Sequence, residues 1–321
     1  MFGLWMTVGL FLDGYFHQNL DTDGESFLTP WHAVFYAGFA ASVLWLVRMS
    51  RRRAPGVVDW RLSFLPAGYE NARIGMALFA LGGLGDGVWH TAFGVERGID
   101  ALLSPTHLLL FAGLVLILGA PTRAARITPD SDAGRWIVAG SVISTTALVG
   151  FFMNFAWGLG IAALTRVPYD PVTDAGETAV IAGVASMLVT TVVLFTAARV
   201  LLSAGRVPVG ALTLLFGLTA LLVSAAFDED AEGVLAALLA GAVLDAALRG
   251  HRTGHTARTA AAFGIASAVL WLAYFGLLES IDGIQWQAEV WLGAIVRSTL
   301  CAAAIPTLTS PAPTTQQEDR P

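Results

Sequence analysis

The segment GLGDGVWHTAFG, residues 83–94, lies at the end of a strongly apolar run and carries two ionisable side chains, Asp86 and His90. Apolar runs recur along the chain: 55% of its 321 residues are hydrophobic, 13% are charged, and the mean hydropathy is +0.66. Soluble domains carry about 25% charged residues. The composition therefore indicates a polytopic membrane protein. Ionisable groups near the edge of a membrane span are costly, so they predict a function.

The length of the apolar runs predicts the fold class. In lipid every backbone polar group needs an internal partner, which leaves helical bundles or closed barrels. Runs of about 17–25 residues, rather than alternating ten-residue segments, favour an all-α integral membrane bundle. We predict about ten transmembrane helices, at 2–19, 31–48, 71–91, 104–120, 135–160, 177–203, 208–226, 231–248, 259–279 and 287–306. The first run begins at Met1 and leads straight into a motif, so we expect a retained span rather than a cleaved signal peptide.

The helices pair into repeated hairpins within one transmembrane domain, 1–307. The five hairpins cover about 1–50, 70–121, 135–204, 208–249 and 259–307. Arginine is concentrated in the loops after even-numbered helices, and Asp and Glu in the loops after odd-numbered ones. The positive-inside rule then predicts a multi-pass protein of the plasma membrane with both termini in the cytoplasm. The Pro/Thr-rich segment 308–321 is expected to be a disordered cytoplasmic tail.

The first two hairpins carry the same motif. The first copy has LDGYFH followed by TPWHAVFYAG, and the second has GDGVWH followed by SPTHLLLFAG. Alignment pairs Asp13 with Asp86, His17 with His90, Pro30 with Pro105, and His32 with His107. We call Asp13, His17 and His32 the first set, and Asp86, His90 and His107 the second set. A weaker third copy has Asn154 in the Asp position and Glu177 in the place of the second His, and IDGIQWQ at 281–287 is a faint fourth.

This spacing can gather three ligands. Asp-x-x-x-His on a helix places both side chains on one face, with Cβ atoms about 5–6 Å apart. A short turn makes the next helix an antiparallel neighbour, and that helix begins with the second His. Each hairpin can therefore bring one carboxylate and two imidazoles together near the outer surface. The proline of each copy falls in the first helical turn, where proline is tolerated.

One carboxylate with two imidazoles is a donor set for Cu(II), Zn(II) or Fe(II), and it leaves a coordination position open. The chemistry of a two-His-one-carboxylate site favours Fe(II), whereas the Irving–Williams order and an extracytoplasmic location favour copper. Four of the six His residues fall in the matched copies, and both copies keep the Asp. Two other interpretations stay open: an ion-pair or proton-relay role, and a structural role at helix ends. Whether the sets form one dinuclear or two mononuclear sites is also open.

Five further residues are candidates for accessory roles. Glu25 and Glu96 lie between the two halves of their motif copies, while Asn154 and Glu177 belong to the third copy. Arg297 is near the middle of the last predicted helix, where a guanidinium needs a carboxylate partner such as Asp282, Glu279 or Glu177. It either neutralises an anionic site or braces helices.

The paired Asp-x-x-x-His…His segments resemble the C subunit of the copper membrane monooxygenases, the particulate methane and ammonia monooxygenases. The resemblance covers residues 1–120, and the matching positions are Asp13, His17, His32, Asp86, His90 and His107. It implies copper at one or both sets, an oxidative role, and other membrane subunits as partners. The second set has Asp where that family has Asn, and 14 and 16 residues separate the two His of each copy, slightly more than in the family.

Three hypotheses follow for the function. The first is a copper metalloprotein related to those oxidoreductases, acting on a small membrane-soluble substrate. The second is a transporter or metal-handling permease, for which internal repeats are typical. The third is a haem protein in which the His residues are axial ligands. We expect contact with the lipid bilayer and either other subunits or a homo-oligomer. Nucleic acid is not expected, because the basic residues cluster beside the predicted spans.

Overall fold

The computed structural model describes residues 2–19, 29–55, 62–94, 96, 98–127, 132–170, 174–205, 207–229, 231–249 and 256–309. Of these, 84% are helical and none is in a β-strand. Glu25, and all of the predicted tail beyond Thr309, lie outside the described residues. The all-α prediction is confirmed for the part of the chain that the structure describes.

The helices, in chain order, are α1 (Phe2–Asn19), α2 (Pro30–Arg53), α3 (Glu70–Phe93), α4 (Ile99–Leu103), α5 (Pro105–Leu118), α6 (Ala120–Ala125), α7 (Asp132–Phe152), α8 (Ala162–Thr165), α9 (Asp174–Ser203), α10 (Ala211–Phe227), α11 (Ala231–Ala247), α12 (Thr256–Ile281) and α13 (Ala288–Leu308). Within the described ranges, six segments are long and apolar enough to cross a membrane: Pro30–Arg53, Pro105–Ala125, Gly134–Phe152, Ala175–Ser203, Thr256–Ile281 and Ala288–Leu308. They indicate a multi-pass membrane protein that contacts lipid.

The two helices of each predicted pair pack against one another: α1 with α2, α3 with α5, α7 with α9, α10 with α11, and α12 with α13. The buried residues form one apolar core that includes the aromatic side chains of Phe79, Phe195, Phe216 and Trp271. Several long apolar side chains on the helix exteriors are exposed, for example Leu44 and Leu84. An apolar exterior is expected where lipid is the solvent.

Glycines set the close approach of the helices that carry the motif. A Cβ added at Gly9 on α1 would lie 2.8 Å from the Cα of Phe35 on α2. At the matched position of the second hairpin, a Cβ added at Gly82 would lie 2.9 Å from the backbone nitrogen of Leu110. Both glycines are four residues before the Asp of their set, so the absence of a side chain lets the partner helix approach beside the site.

The predicted helix at 135–160 is wrong from Met153 onward. Helix α7 ends at Phe152, and two short 3-10 turns, Asn154–Ala156 and Gly158–Gly160, follow it. The break has a packing cause, because the backbone of Gly158 lies against α9: its N–H donates to the Thr190 hydroxyl at 2.7 Å, and an added Cβ would lie 2.8 Å from the Cα of Met187.

Candidate metal centre

The two halves of each motif meet as predicted. Asp13 and His17 lie in the last turns of α1, and His32 lies in the first turn of α2. Asp86 and His90 lie in the last turns of α3, and His107 in the first turn of α5. In both sets the three ligand atoms lie within 4.8 Å of one another, close enough to hold a metal ion.

A hydroxyl cap starts the second helix of each hairpin and fixes the position of its His. The Thr29 side chain accepts a hydrogen bond from the backbone N–H of His32 at 3.2 Å. The Ser104 side chain does the same for His107 at 3.4 Å. The shared sequence is therefore a helix start with Ser or Thr at the cap, Pro at the first position and His at the third.

In the first set, Asp13 faces both imidazoles. Its Oδ1 is 3.6 Å from Nδ1 of His17, and its Oδ2 is 3.5 Å from Nε2 of His32. The two imidazole ring centres are 5.0 Å apart. Asp13 Oδ1 is buried and has no hydrogen-bond partner among the described residues, so this carboxylate has acceptor capacity left for a cation.

The second set is tighter. Asp86 Oδ1 is 3.0 Å from Nε2 of His107 and 3.4 Å from Nε2 of His90, and it also accepts a hydrogen bond from the Thr106 hydroxyl at 3.1 Å. Only 1% of the Asp86 side chain is exposed. A carboxylate this deeply buried needs compensating positive charge or hydrogen bonds. The Thr106 hydroxyl supplies one hydrogen bond, and protonated imidazoles or a cation beside them would supply the positive charge.

Backbone carbonyl groups fix the orientation of three of the four imidazoles. The Nδ1–H of His17 donates to the carbonyl oxygen of Asp13 at 2.8 Å, that of His90 to Gly94 at 3.2 Å, and that of His107 to Ala101 at 2.5 Å. A carbonyl oxygen only accepts, so Nδ1 carries the proton in each ring. In the neutral imidazole, Nε2 then has the free lone pair that a metal requires.

The fourth imidazole is held by the cap residue of its own helix. His32 Nδ1 is 3.0 Å from the Thr29 hydroxyl, which can donate or accept. Its Nε2 faces Asp13. Thr29 thus contacts both the backbone and the ring of His32, and orients the side chain toward the first set.

Both sets line one cavity of about 100 Å³. A buried water needs roughly 10–15 Å³ by this measure, so the cavity has room for several water-sized groups. Asp13 is within electrostatic range of Asp86, His90 and His107 of the other set. Tyr36 also lines the cavity, and its ring lies against α3, where a Cβ added at Gly83 would be 2.8 Å from it. Aromatic side chains of α7 and α10 complete the wall: Phe151, Phe152 and Phe227.

The accessory candidates lie in different places. Glu96 lines the cavity, and its Oε1 accepts a hydrogen bond from Trp89 Nε1 at 2.6 Å. Its buried Oε2 is 3.8 Å from His107 Nδ1 and has no hydrogen-bond partner in the part of the chain that the structure describes. Asn154 and Glu177 are not among the residues that line the cavity. Glu177 is exposed on α9, and Asn154 is in the 3-10 turn after α7.

Arg297 is exposed on α13, beside an apolar groove against α9. Among the described residues it has no salt bridge. Of its three expected partners, Asp282 pairs instead with Arg166, and Glu279 accepts a hydrogen bond from the backbone N–H of Ile284. The structure therefore does not bring Arg297 to the two sets.

Sequence reasoning missed several residues that organise the site. Thr29, Ser104 and Thr106 are part of the quoted motif, and a hydroxyl three residues before each His is a recognisable capping signal. No comparable sequence pattern indicates that Tyr36 and the backbone carbonyl of Ala101 belong to the site. Ala101 belongs to α4, a five-residue helix between the two motif halves that hydropathy does not reveal.

The fold and site define a class: a multi-pass, membrane-type helical protein with two Asp/His groups that could hold a metal ion. Comparison with protein-family models, with curated proteins and with solved structures gives no match. The chemistry of the site therefore carries the functional argument.

Proposed function

We propose that this protein is an integral membrane metalloprotein in which each Asp/His/His set binds one transition-metal ion, with copper as the first candidate. The observation that carries the proposal is the common orientation of the imidazoles. His17, His90 and His107 each use Nδ1 to donate to a backbone carbonyl, and in His90 and His107 this leaves Nε2, the ring nitrogen that faces Asp86, as the ligand atom. Metal-bound His residues characteristically have such a partner on the other ring nitrogen.

The charge of the cavity also supports bound cations. Asp13, Asp86 and Glu96 bring three carboxylates to one cavity, and two of their buried oxygen atoms have no hydrogen-bond partner. Transfer of an ion from water to a protein interior costs several kcal/mol even after relaxation. With neutral imidazoles the cavity carries three negative charges, which two divalent cations would more than compensate.

Donor type directs the choice of metal. Imidazole with carboxylate suits copper, zinc and iron, and the Irving–Williams order places Cu(II) above the others. A set with three protein ligands leaves a position for water, dioxygen or a substrate, and a bound copper would supply redox chemistry there. Asp86 and the fixed imidazoles would hold the ion, while the apolar wall around the cavity would limit the access of water.

The resemblance of residues 1–120 to the C subunit of copper membrane monooxygenases supports copper and suggests an oxidative role. On this proposal the substrate is small and membrane-soluble, and the chain acts with other membrane subunits or as a homo-oligomer. Cavity size is consistent with a small substrate beside two ions.

The proposal includes a finer membrane arrangement. We infer that α1, α3, α10 and α11 join the six candidate spans to give about ten membrane helices, with the first two hairpins as repeats. Matched glycine contacts support the repeat, because the backbone of Phe35 packs closely against Gly9 and the backbone of Leu110 packs closely against Gly82. The distribution of arginine supports a plasma-membrane orientation with cytoplasmic termini and the two sets at the outer face.

The geometry of the two sets also bears on the haem-protein and permease hypotheses. Each pair of imidazoles converges on one carboxylate, with ring centres 5.0 and 5.7 Å apart, which favours an ion over a haem macrocycle between them. A metal-handling permease would use the same donors but bind the ion weakly and exchangeably. Metal-dependent uptake by proteoliposomes would favour that function over a resident metal.

Metal analysis of the detergent-purified protein tests the proposal. After incubation with Cu(II), Zn(II) or Fe(II) and removal of free metal, we expect up to two copper ions per chain and a Cu(II) EPR spectrum with nitrogen hyperfine structure. His17→Ala and His107→Ala should each lose one ion. His251→Ala, at a position outside the described residues, is the matched control. Failure of the unmutated protein to retain any of these metals would refute the proposal.

A further inference from the structure

A second site candidate lies at the arginine-rich end of α2, away from the two metal sets. Arg48, Arg51 and Arg52 line an open groove together with Leu44, Val47 and Pro55. Its volume is about 510 Å³. Leu44, Arg48 and Arg52 lie along one face of α2, because residues four apart are neighbours on a helix, and Pro55 follows the end of that helix.

The groove has a concentrated positive charge. All three arginines are exposed, and no carboxylate among the described residues lies within salt-bridge distance of them. Crowded guanidinium groups repel one another, so an anion between them is favoured. Guanidinium groups match phosphate oxygens in geometry and form paired, charge-assisted hydrogen bonds with them.

The other wall of the groove is apolar and points along the candidate span. Leu44 is 70% exposed, and it lies four residues, or about 6 Å, closer to the middle of α2 than Arg48. A ligand that fills the groove therefore needs a phosphate at one end and a hydrocarbon chain at the other. A membrane supplies such a molecule in its anionic phospholipids.

We propose that this groove is a binding site for one anionic phospholipid, with the phosphate on Arg48, Arg51 and Arg52 and an acyl chain against Leu44 and Val47. The proposal is distinct from general attraction of a basic helix end to a charged membrane surface. Arg53 separates the two cases, since it is exposed at the same end of α2 but does not line the groove.

Native mass spectrometry of the full chain, titrated with phosphatidylglycerol in detergent, measures the stoichiometry and affinity. We expect one tightly bound lipid per chain. A hydrogen bond between charged groups contributes about tenfold or more to binding, so Arg52→Gln should weaken the site about tenfold. Arg48→Gln with Arg52→Gln should weaken it further but less than the product of the single losses, because both arginines contact one ligand. Arg53→Gln should leave it unchanged, and Arg52→Lys should lose less than Arg52→Gln.

Two outcomes overturn the proposal. Equal losses in Arg52→Gln and Arg53→Gln would mean diffuse attraction to the helix end rather than a site. Displacement of the lipid by millimolar inorganic phosphate, with no effect of Leu44→Ser, would mean that the groove binds free phosphate. Phosphatidylcholine is the reference lipid, and thermal unfolding in the same detergent checks that each variant is folded.

Discussion

The two Asp/His/His sets share a motif but differ in the support around the carboxylate. Asp86 is 1% exposed, and Thr106 donates a hydrogen bond to it, whereas the Asp13 side chain is 15% exposed and its Oδ1 has no hydrogen-bond partner. The nearest imidazole nitrogens are 3.0 and 3.4 Å from a carboxylate oxygen of Asp86, whereas in the first set they are 3.5 and 3.6 Å from the carboxylate oxygens of Asp13. The second set is therefore closer to a preorganised site.

The cause of the difference is visible in two matched positions. Thr106, which contacts Asp86, corresponds to Trp31 in the first hairpin, and Trp31 instead stacks on Phe16 with ring centres 3.7 Å apart. Phe16 in turn corresponds to Trp89, which donates a hydrogen bond to Glu96. The first hairpin thus uses these positions for aromatic packing, while the second uses them for polar support of the ligands. Ligand identity alone does not determine how well a site is organised.

Loss of the carboxylates should have the largest effect. Asp86→Asn removes the carboxylate that faces His90 and His107 and accepts a hydrogen bond from Thr106, and we expect the second set to lose its metal, with an affinity loss above the roughly 100-fold limit of outer-sphere changes. Asp13→Asn should empty the first set only. Elemental analysis of metal per chain checks both variants, and the double variant should bind none. If either single variant released all the metal, the two sets would act as one dinuclear centre.

Removal of the Thr106 hydroxyl should have the next largest effect. Thr106→Val keeps the shape of the side chain but leaves Asp86 without its hydroxyl donor. Outer-sphere partners of metal ligands change affinity by roughly 10–100-fold, so we expect a loss in that range at the second set and none at the first. Competition with a chelator measures the two affinities. Thr91→Val, whose hydroxyl bonds only to the carbonyl of Gly87, is the control.

Packing at the glycine six residues after the second His of each set also differs between the two hairpins. A Cβ at Gly113 would lie 2.7 Å from both Gly75 O and Phe79 N, whereas at the matched Gly38 the nearest backbone atom is 3.1 Å away. Overpacking costs about 1–3 kcal/mol, so Gly113→Ala should lower the thermal unfolding midpoint clearly more than Gly38→Ala. A Cβ added at Gly140 has no heavy atom of the described residues within 4 Å, so Gly140→Ala should leave the unfolding midpoint unchanged or raise it, because Ala favours helix. Equal midpoints for the variants at 113 and 38 would contradict the comparison.

Hydropathy and the repeated motif predicted much of this arrangement. The helices carrying Asp13, His32, Asp86 and His107 form close to their predicted bounds, because long apolar runs have few alternatives in lipid. The approach of each His pair to its Asp followed from helix periodicity and a hairpin connection.

Other features depend on contacts between distant segments, so local patterns could not predict them. The end of α7 at Phe152 depends on packing of Gly158 against α9, and the orientation of His107 depends on a carbonyl of α4. The common cavity is another such feature, since hydropathy gives no information on which hairpins face each other. The sequence shows that Trp31 stands where the second hairpin has Thr106, but it does not show that the Thr106 hydroxyl donates a hydrogen bond to Asp86.

A smaller effect is expected at Glu96, which lies beside the second set; its counterpart in the first hairpin, Glu25, is outside the described residues. Glu96→Gln keeps an amide oxygen for the Trp89 hydrogen bond but removes the negative charge 3.8 Å from His107. A charge at about 4 Å contributes ~1 kcal/mol in bulk water and more at a buried atom such as Glu96 Oε2, so metal at the second set should bind at least about fivefold more weakly. The first set should change less, because it is farther from Glu96. Chelator competition resolves a change of this size, and Glu70→Gln, at the opposite end of α3, is the charge-matched control. Complete loss of metal would instead make Glu96 a direct ligand, and the second set would then differ from the first in its donors as well as in their support.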